Sequence, residues 1–361
     1  FIGFRLFNFS FLVSNRILVC IMINLNFSKL TVQEALSILK PFDEKWIKTY
    51  YNFLQTYITC KEIDLSTSGT TGKRKMISVS KLQMQKSAKA TLNYFNLREG
   101  NSTLLSLSCE YIAGKMMLVR AVEGKLNLFL VKPCSDPSNY LSSEFDFVPL
   151  VPMQVQNIIK TGKVNQIKRL LIGGGKLNDE ILHQLKENKT QVFESFAMTE
   201  TLTHFAIKQI SPIYNEWFTT IEGFEIDINK EGELIIKKNN ITDCELKTRD
   251  LIEKKSNSEF KWLGRSDHII NSGGIKLIPE EIERKISKLI SVQFVLVGVP
   301  DKKLGEKIAI VSNEPLKIEL NKINKVLPKY ERIQNSFVVK HFPMTQSGKI
   351  RRKELVKTLN A

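Results

Sequence analysis

The most restrictive stretch of the chain is the run Ser66, Thr67, Ser68, Gly69, Thr70, Thr71, Gly72, Lys73, Arg74, Lys75. Gly69 and Gly72 let the backbone turn so that successive N–H groups converge on an anion, the hydroxyl side chains add donors, and Lys73 adds charge. A fold that uses this loop must present it to the phosphates of a nucleotide. The competing reading is a flexible linker, since runs of Ser, Thr and Gly also serve as linkers. A Walker loop is excluded. It needs four residues between its glycines and a hydroxyl residue after the lysine, whereas here two residues intervene and Arg74 follows.

With 361 residues, 42% of them apolar and 25% charged, the chain has the composition of a globular protein with one large and one small domain. The formal charge of +16 suits nucleic acid, an anionic surface or small polyanions such as ATP and coenzyme A. No block of five or six like charges appears, so most lysines read as solvated faces. Cys20, Cys60, Cys109, Cys134 and Cys244 are far apart and odd in number, which argues against a disulfide framework or a zinc site and fits a reducing cytoplasm. Residues 1–26 are rich in Phe, Ile and Leu, but Arg16 breaks the run short of a membrane span and no cleavage site follows. Met22 reads as the natural start, with residues 1–26 set apart as an upstream extension of no structural weight.

From Thr103 onward, short apolar runs alternate with helical patterns: strands at 104–107, 126–131, 168–172 and 191–194, a buried helix at 112–123, and a helix capped by Asn178 and running to Glu187. This rhythm predicts an α/β fold with a doubly wound, largely parallel sheet, whose ligands bind beyond the carboxyl ends of the strands. Gly173, Gly174 and Gly175, and the segment 195–201, are expected at such ends. Alternation at 221–241 predicts a β-rich subdomain. A boundary near Gly264 divides a large domain, 27–264, from a small α+β domain, 265–361, with a helix at 279–290 and strands near 294–297 and 308–311.

Five segments in order resemble the core motifs of adenylate-forming enzymes, the family of acyl-CoA synthetases, adenylation domains and luciferases. They are 66–75, 195–201, Thr248-Arg249-Asp250, Gly264 to Asp267 with Gly273 and Gly274, and 343–352. Arg249 stands where the family has glycine, which raises a question about backbone geometry beside Asp250. The part before the phosphate loop is shorter than in most relatives, so the resemblance implies a fold truncated at its amino terminus. Activation of a carboxylate by ATP requires an oxygen to attack the α-phosphorus while pyrophosphate leaves, so the site must neutralise phosphate charge and align two anions. On that chemistry Ser66, Thr67, Ser68, Gly69, Thr70, Thr71, Gly72 and Lys73 steady the phosphates. Glu200 holds Mg2+ and Thr199 bonds the α-phosphate. Ser195 and Phe196 line the adenine side, and Asp250 and Arg265 reach the ribose hydroxyls. The plainer alternatives are a core position for Phe196 and a surface ion pair for Asp250 or Arg265.

The resemblance further implies that Lys349 bridges the carboxylate and ATP, unless it is an ordinary residue of the basic tail. It also implies that the small domain is mobile, turning about Asp267 to bring Gly273, Gly274 and Lys276 beside the coenzyme A channel. Arg351, Arg352 and Lys353 are expected to be solvated or to touch coenzyme A. Tyr111, Gly114, Lys115 and His204 resemble the acyl pocket of short o-succinylbenzoate-CoA ligases of menaquinone synthesis. Lys115 or His204 would then meet the second carboxylate of that acid; a satisfied structural role for His204 is the alternative. Cys109, with no local base, reads as a buried small residue. Rival readings are a ligase for another aromatic or fatty acid, a non-catalytic adenylate-binding module, and a basic nucleic-acid-binding protein, the last lacking any recognition helix or aromatic platform. A homodimer stays open.

Overall fold

The computed structural model describes residues 6–13, 16–66, 76–175, 177, 179–186, 188–344 and 350–359. They form two compact units that divide between Phe224 and Glu225. Lys238–Cys244 return to the first unit, and Glu245 onward belong to the second. This division precedes Gly264, the boundary read from the sequence.

The first unit begins with strands β1 (Leu6–Val13) and β2 (Arg16–Asn26), followed by helices α1 (Val32–Leu39) and α2 (Lys45–Thr59). The hairpin strands β3 (Glu62–Ser66) and β4 (Met76–Ser80) lead into α3 (Lys81–Tyr94), whose first turn is closed by a reciprocal cap between Ser80 and Gln83. Then come β5 (Ser102–Leu105), α4 (Ile112–Glu123), β6 (Asn127–Val131), β7 (Phe145–Leu150), α5 (Pro152–Lys160), β8 (Ile167–Ile172), α6 (Asp179–Lys186), β9 (Gln191–Ala197), β10 (His204–Ser211) and β11 (Phe218–Thr220). Within this unit the sheet order is β1-β2-β6-β5-β7-β8-β9-β10-β11. Strands β6, β5, β7, β8 and β9 run parallel, and antiparallel pairs flank them on both sides.

Both faces of the parallel core are covered. On one, Val155 and Ile158 of α5 and Ile181 and Leu185 of α6 join Leu104, Val148, Leu150, Leu170, Ile172 and Val192 in a single buried cluster. On the other, Phe95, just past α3, meets Phe147 of β7 and Phe193 of β9 with ring centroids 5.0 and 5.1 Å apart. Each such side chain contributes about 1.5–3 kcal/mol on burial. The doubly wound sheet expected from the strand and helix rhythm is therefore present.

Residues 22–26 belong to this fold. Met22 to Asn26 pair with β6 in the register Met22↔Val131 to Asn26↔Asn127, and Met22, Ile23 and Leu25 are buried. The sequence reading set this stretch aside because its partner lies about a hundred residues away and no local pattern announces the pairing. The Asn178 cap lies outside the described residues, and the helix expected at 279–290 is shorter.

The second unit opens with an antiparallel meander of β12 (Ile226–Ile228), β13 (Glu233–Ile236), β14 (Leu246–Lys254) and β15 (Glu259–Arg265). It continues through β16 (Ile270–Ser272), β17 (Ile275–Leu277), α7 (Pro279–Ile286), β18 (Phe294–Asp301), β19 (Gly305–Ser312), α8 (Leu320–Asn324), β20 (Asn335–Val338) and α9 (Arg352–Leu359). The period of two in β18 divides the packing. Leu296 joins Ile282 and Ile286 of α7 in one cluster, and Val295, Val297 and Val299 join Leu355 of α9 in the other.

Candidate functional site

The phosphate-loop sequence joins β3 to β4, which are antiparallel with Ser66 opposite Met76. Ser66 ends β3; Thr67, Ser68, Gly69, Thr70, Thr71, Gly72 and Lys73 lie outside the described residues. Lys349 also lies outside them, between Met344 and Ile350, which form an antiparallel bridge.

In the first unit, Gly173 follows β8 and faces Ser195 of β9. A Cβ at Gly173 would fall 2.7 Å from Ser195 Oγ, and that hydroxyl donates to the Ile172 carbonyl at 3.0 Å. Glycine is thus needed for this close approach, and Gly174 has φ +82°. Gly175 lies against Pro152. Ser195 and Phe196 sit within β9 rather than after it, so the loop proper is shorter than the sequence suggested. Phe196 is half-buried and meets Phe205 and Phe218 edge-on at 5.5 and 5.4 Å. Beyond it, Thr199–Thr201 form a 3-10 turn that leaves Glu200 exposed and Thr199 half-buried. The Thr201 hydroxyl, 2.6 Å from the Thr203 carbonyl, pins this turn from below.

The acyl-pocket candidates separate. Tyr111 precedes α4 and is exposed. Gly114 has a packing reason: a Cβ there would lie 2.2 Å from the Ser108 carbonyl oxygen. Lys115 holds its ammonium 5.8 Å from the Phe53 ring centroid, and burial lowers its pKa. Cys109 is buried and its thiol is pushed far up by desolvation, so it is no nucleophile.

His204 departs from the role of a substrate ligand. It is 2% exposed, with Nε2 3.0 Å from Thr91 Oγ1 and Nδ1 3.2 Å from Thr203 Oγ1. Thr91 donates its own proton to the Ser87 carbonyl, and Thr203 Oγ1 accepts from Arg120 Nη2 at 2.9 Å. This assigns a neutral ring with the proton on Nε2, Nδ1 accepting from Thr203. Burial, and secondly the Arg120 charge, hold the imidazole well below its ordinary pKa. Both nitrogens are occupied inside the protein, so His204 reads as structural, the alternative weighed for it.

Arg120, which the sequence reading passed over, is the more telling residue. It lies on α4, a helix whose other buried members are Gly114, Met116, Met117, Leu118, Val119 and Ala121. Its guanidinium is 2% exposed, its Nε has no hydrogen-bond partner, and it makes no ion pair among the described residues. Desolvation lowers its pKa to about 9. Buried arginines are ordinarily paired, and this one has no carboxylate partner among the described residues. The signal was legible as an arginine at the end of an otherwise apolar helical run.

In the second unit the ribose candidates come together. Asp250 of β14 stands directly opposite Arg265 of β15. Arg265 Nη1 lies 3.8 Å from Asp250 Oδ1, and Arg265 Nε donates to Asp267 Oδ1 at 2.9 Å. Burial works against both charges of the latter pair, yet their mutual bond and attraction raise the Arg265 pKa and lower that of Asp267. Trp262 Nε1 donates to Asp250 Oδ1 at 3.0 Å. Arg249 lies within β14 and is not among the described residues with positive φ, which answers the question its side chain raised. Gly273 and Gly274, with φ +59° and +82°, form the two-residue loop of the β16–β17 hairpin, where both central residues require positive φ. Lys276 is exposed on β17. Arg352 is not solvated. It is half-buried and bound at 2.7 and 3.0 Å to Glu283 of α7, because a guanidinium largely withdrawn from water needs a carboxylate.

Among the described residues, no group of three or more His, Cys, Asp or Glu is arranged to hold a metal ion, and no helix is long and apolar enough to cross a membrane.

Residues 65–242 match the family described as AMP-binding enzyme. Over nearly its whole length the chain is similar to the acyl-CoA synthetase (AMP-forming)/AMP-acid ligase II-like protein of Dyadobacter fermentans, at 30% identity, covering 94% of this chain and 99% of that one, with a TM-score of 0.64. The chain belongs to the AMP-binding, adenylate-forming enzyme family. Its particular likenesses include the 2-succinylbenzoate–CoA ligase of Lactococcus lactis, 25% identical over 315 residues that span 81% of this chain and 70% of that protein. In fold it also matches the o-succinylbenzoate coenzyme A synthetase of Bacillus subtilis, a structure in complex with ATP and magnesium ion, with a TM-score of 0.71, 21% identity, and coverage of 92% and 83%.

Proposed function

We propose that this chain is an AMP-forming acid–thiol ligase of the cytoplasm that converts o-succinylbenzoate to o-succinylbenzoyl-CoA. The acid's carboxylate oxygen attacks the α-phosphorus of ATP, the bond to pyrophosphate breaks, and an acyl-adenylate forms. The thiol sulfur of coenzyme A then attacks the acyl carbon, AMP leaves with the former carboxylate oxygen, and the thiol proton passes to solvent. Neither step needs a protein nucleophile, in keeping with the inert, buried Cys109.

The roles follow from chemistry. The hydroxyls and Lys73 of the 66–73 loop take the β and γ phosphates, and Thr199 donates to the α-phosphate. Phe196 presents its ring to adenine beside Ser195 and the Gly173–Gly175 turn. Asp250 and Arg265 take the ribose hydroxyls. Lys349 balances the two anions that meet during attack. Magnesium fits Glu200, an exposed carboxylate with no ion pair among the described residues, since a cation carried on nucleotide phosphates takes one or two protein carboxylates and would supply charge against the leaving pyrophosphate. The small domain turns about Asp267 for the second step, with Gly273, Gly274 and Lys276 beside the thiol.

The observation that carries the substrate assignment is Arg120. A buried guanidinium with no carboxylate partner among the described residues suits a substrate with a second carboxylate, and o-succinylbenzoate has one. Pyrophosphate release across a panel of acids tests this reading. o-Succinylbenzoate is expected to exceed benzoate, succinate and medium-chain fatty acids in kcat/KM; a fatty acid that outperforms it overturns the assignment.

A further inference from the structure

Strands β14 and β15 are not a regular ladder. Asp250 faces Arg265, Leu251 faces Gly264, and then Ile252 faces Trp262, which leaves Leu263 as one extra residue on β15. Side chains alternate along a strand, and directly opposed residues share a face. In an unbroken ladder Trp262 would oppose Glu253 and point away from Asp250. The bulge shifts Trp262 onto the face of Ile252, and so of Asp250, where the indole N–H reaches Asp250 Oδ1 at 3.0 Å.

A bulge frees backbone groups that must find partners. Arg284 of α7 supplies them, donating from Nη2 to the Leu263 carbonyl at 3.0 Å and from Nη1 to the Trp262 carbonyl at 3.3 Å. Its guanidinium carbon also lies 5.9 Å from the centre of the Trp262 ring. One arginine therefore holds both the bulged backbone and the indole that the bulge aims. Asp250 is meanwhile 9% exposed, with its own N–H given to Thr248 Oγ1. Its backbone is set by the strand and its carboxylate is aimed by Trp262.

We propose that Trp262 is a positioning residue for nucleotide binding: by donating to one carboxylate oxygen it fixes the rotamer in which Asp250 meets the ribose hydroxyls, and Arg284 keeps Trp262 in place through the bulge. This rests on the proposal that Asp250 binds ribose. A phenylalanine would fill the same space and stack under Arg284 but would remove the indole's bond to the Asp250 carboxylate, one of the contacts that hold its rotamer. The cost would appear in nucleotide affinity and in ribose recognition, and not in the acid's half of the reaction.

The test is direct binding of AMP and of 2′,3′-dideoxy-AMP to the wild-type protein, Trp262→Phe, Arg284→Met and Asp250→Ala, by calorimetry, with melting temperatures recorded alongside. Wild type is expected to prefer AMP, and Asp250→Ala to lose that preference. Trp262→Phe should lose about tenfold of it, the scale of one hydrogen bond to a charged group. Its KM for ATP should rise by a similar factor while kcat and the KM for the acid stay near wild type. Arg284→Met, which loosens the bulge while leaving the indole in the chain, should show the same loss in smaller measure, and it decides the matter if Trp262→Phe folds poorly. Undiminished preference for AMP in both variants overturns the role of Trp262. A wild-type protein that does not distinguish AMP from the dideoxy compound overturns instead the ribose role of Asp250 on which the inference stands.

Discussion

Replacing Arg120 with methionine should move stability and activity in opposite directions. The guanidinium is 2% exposed, one nitrogen donates to Thr203 Oγ1 at 2.9 Å, and Nε has no partner. Its pKa, lowered by burial to about 9, records the cost of holding that charge away from water. Methionine keeps much of the stem volume and removes a charge whose desolvation no carboxylate among the described residues offsets, so the free protein should be no less stable. The Thr203 hydroxyl remains bonded through His204, which limits the loss to a single donor. Catalysis should suffer. Loss of a charged hydrogen bond to the substrate's second carboxylate is worth about 1.5–3 kcal/mol, or roughly 10-fold to 150-fold in kcat/KM for o-succinylbenzoate. Benzoate has no second carboxylate and should be processed about as poorly by the variant as by wild type. Pyrophosphate release with the two acids and a thermal melt check the whole argument. An equal loss for benzoate, or a fall in Tm of many degrees, would show that Arg120 holds the fold and does not read the acid.

Two further perturbations follow from the same unit. His204 is held neutral when folded, with its pKa well below 6.5, while the unfolded chain takes up a proton near that value. The unfolded state thus binds more protons below about pH 6.5, and stability from this residue is full above that pH and falls by up to about 1.4 kcal/mol per pH unit below it. His204→Gln should flatten the acid limb of a stability-against-pH profile relative to wild type; parallel limbs would contradict the assigned neutral ring. Deletion through Asn26, compared with deletion through Ile21, removes the β6 partner strand with buried Met22, Ile23 and Leu25. At about 1.5–3 kcal/mol for each side chain it should abolish cooperative melting or lower Tm sharply. Indistinguishable melts would mean that the strand is dispensable.

Much of this was legible locally. The parallel strands announced themselves as short apolar runs such as 168–172, and the helix at 112–123 was bounded by Tyr111 and Gly124, where the structure has its ends. Asp250, Arg265 and Asp267 were named from motif chemistry and do lie together, two of them on opposed strands. What escaped depended on distant partners. Met22 to Asn26 become a strand only because β6 accepts them, and His204 is structural only because Thr91 and Thr203 close around it. The β14–β15 bulge leaves no mark in a strand pattern, so nothing local to Trp262 ties its N–H to the Asp250 carboxylate. Arg352 looked solvated among its basic neighbours because Glu283 is far away in sequence.

The central claim is that the acid's own oxygen attacks the α-phosphorus of ATP. Incubation of the protein with ATP, magnesium, coenzyme A and o-succinylbenzoate carrying heavy oxygen in its carboxylates, followed by mass spectrometry of the products, tests this most directly. The account predicts pyrophosphate without label and AMP carrying one labelled oxygen for each thioester formed. Labelled inorganic phosphate with ADP, or AMP without label, would contradict it.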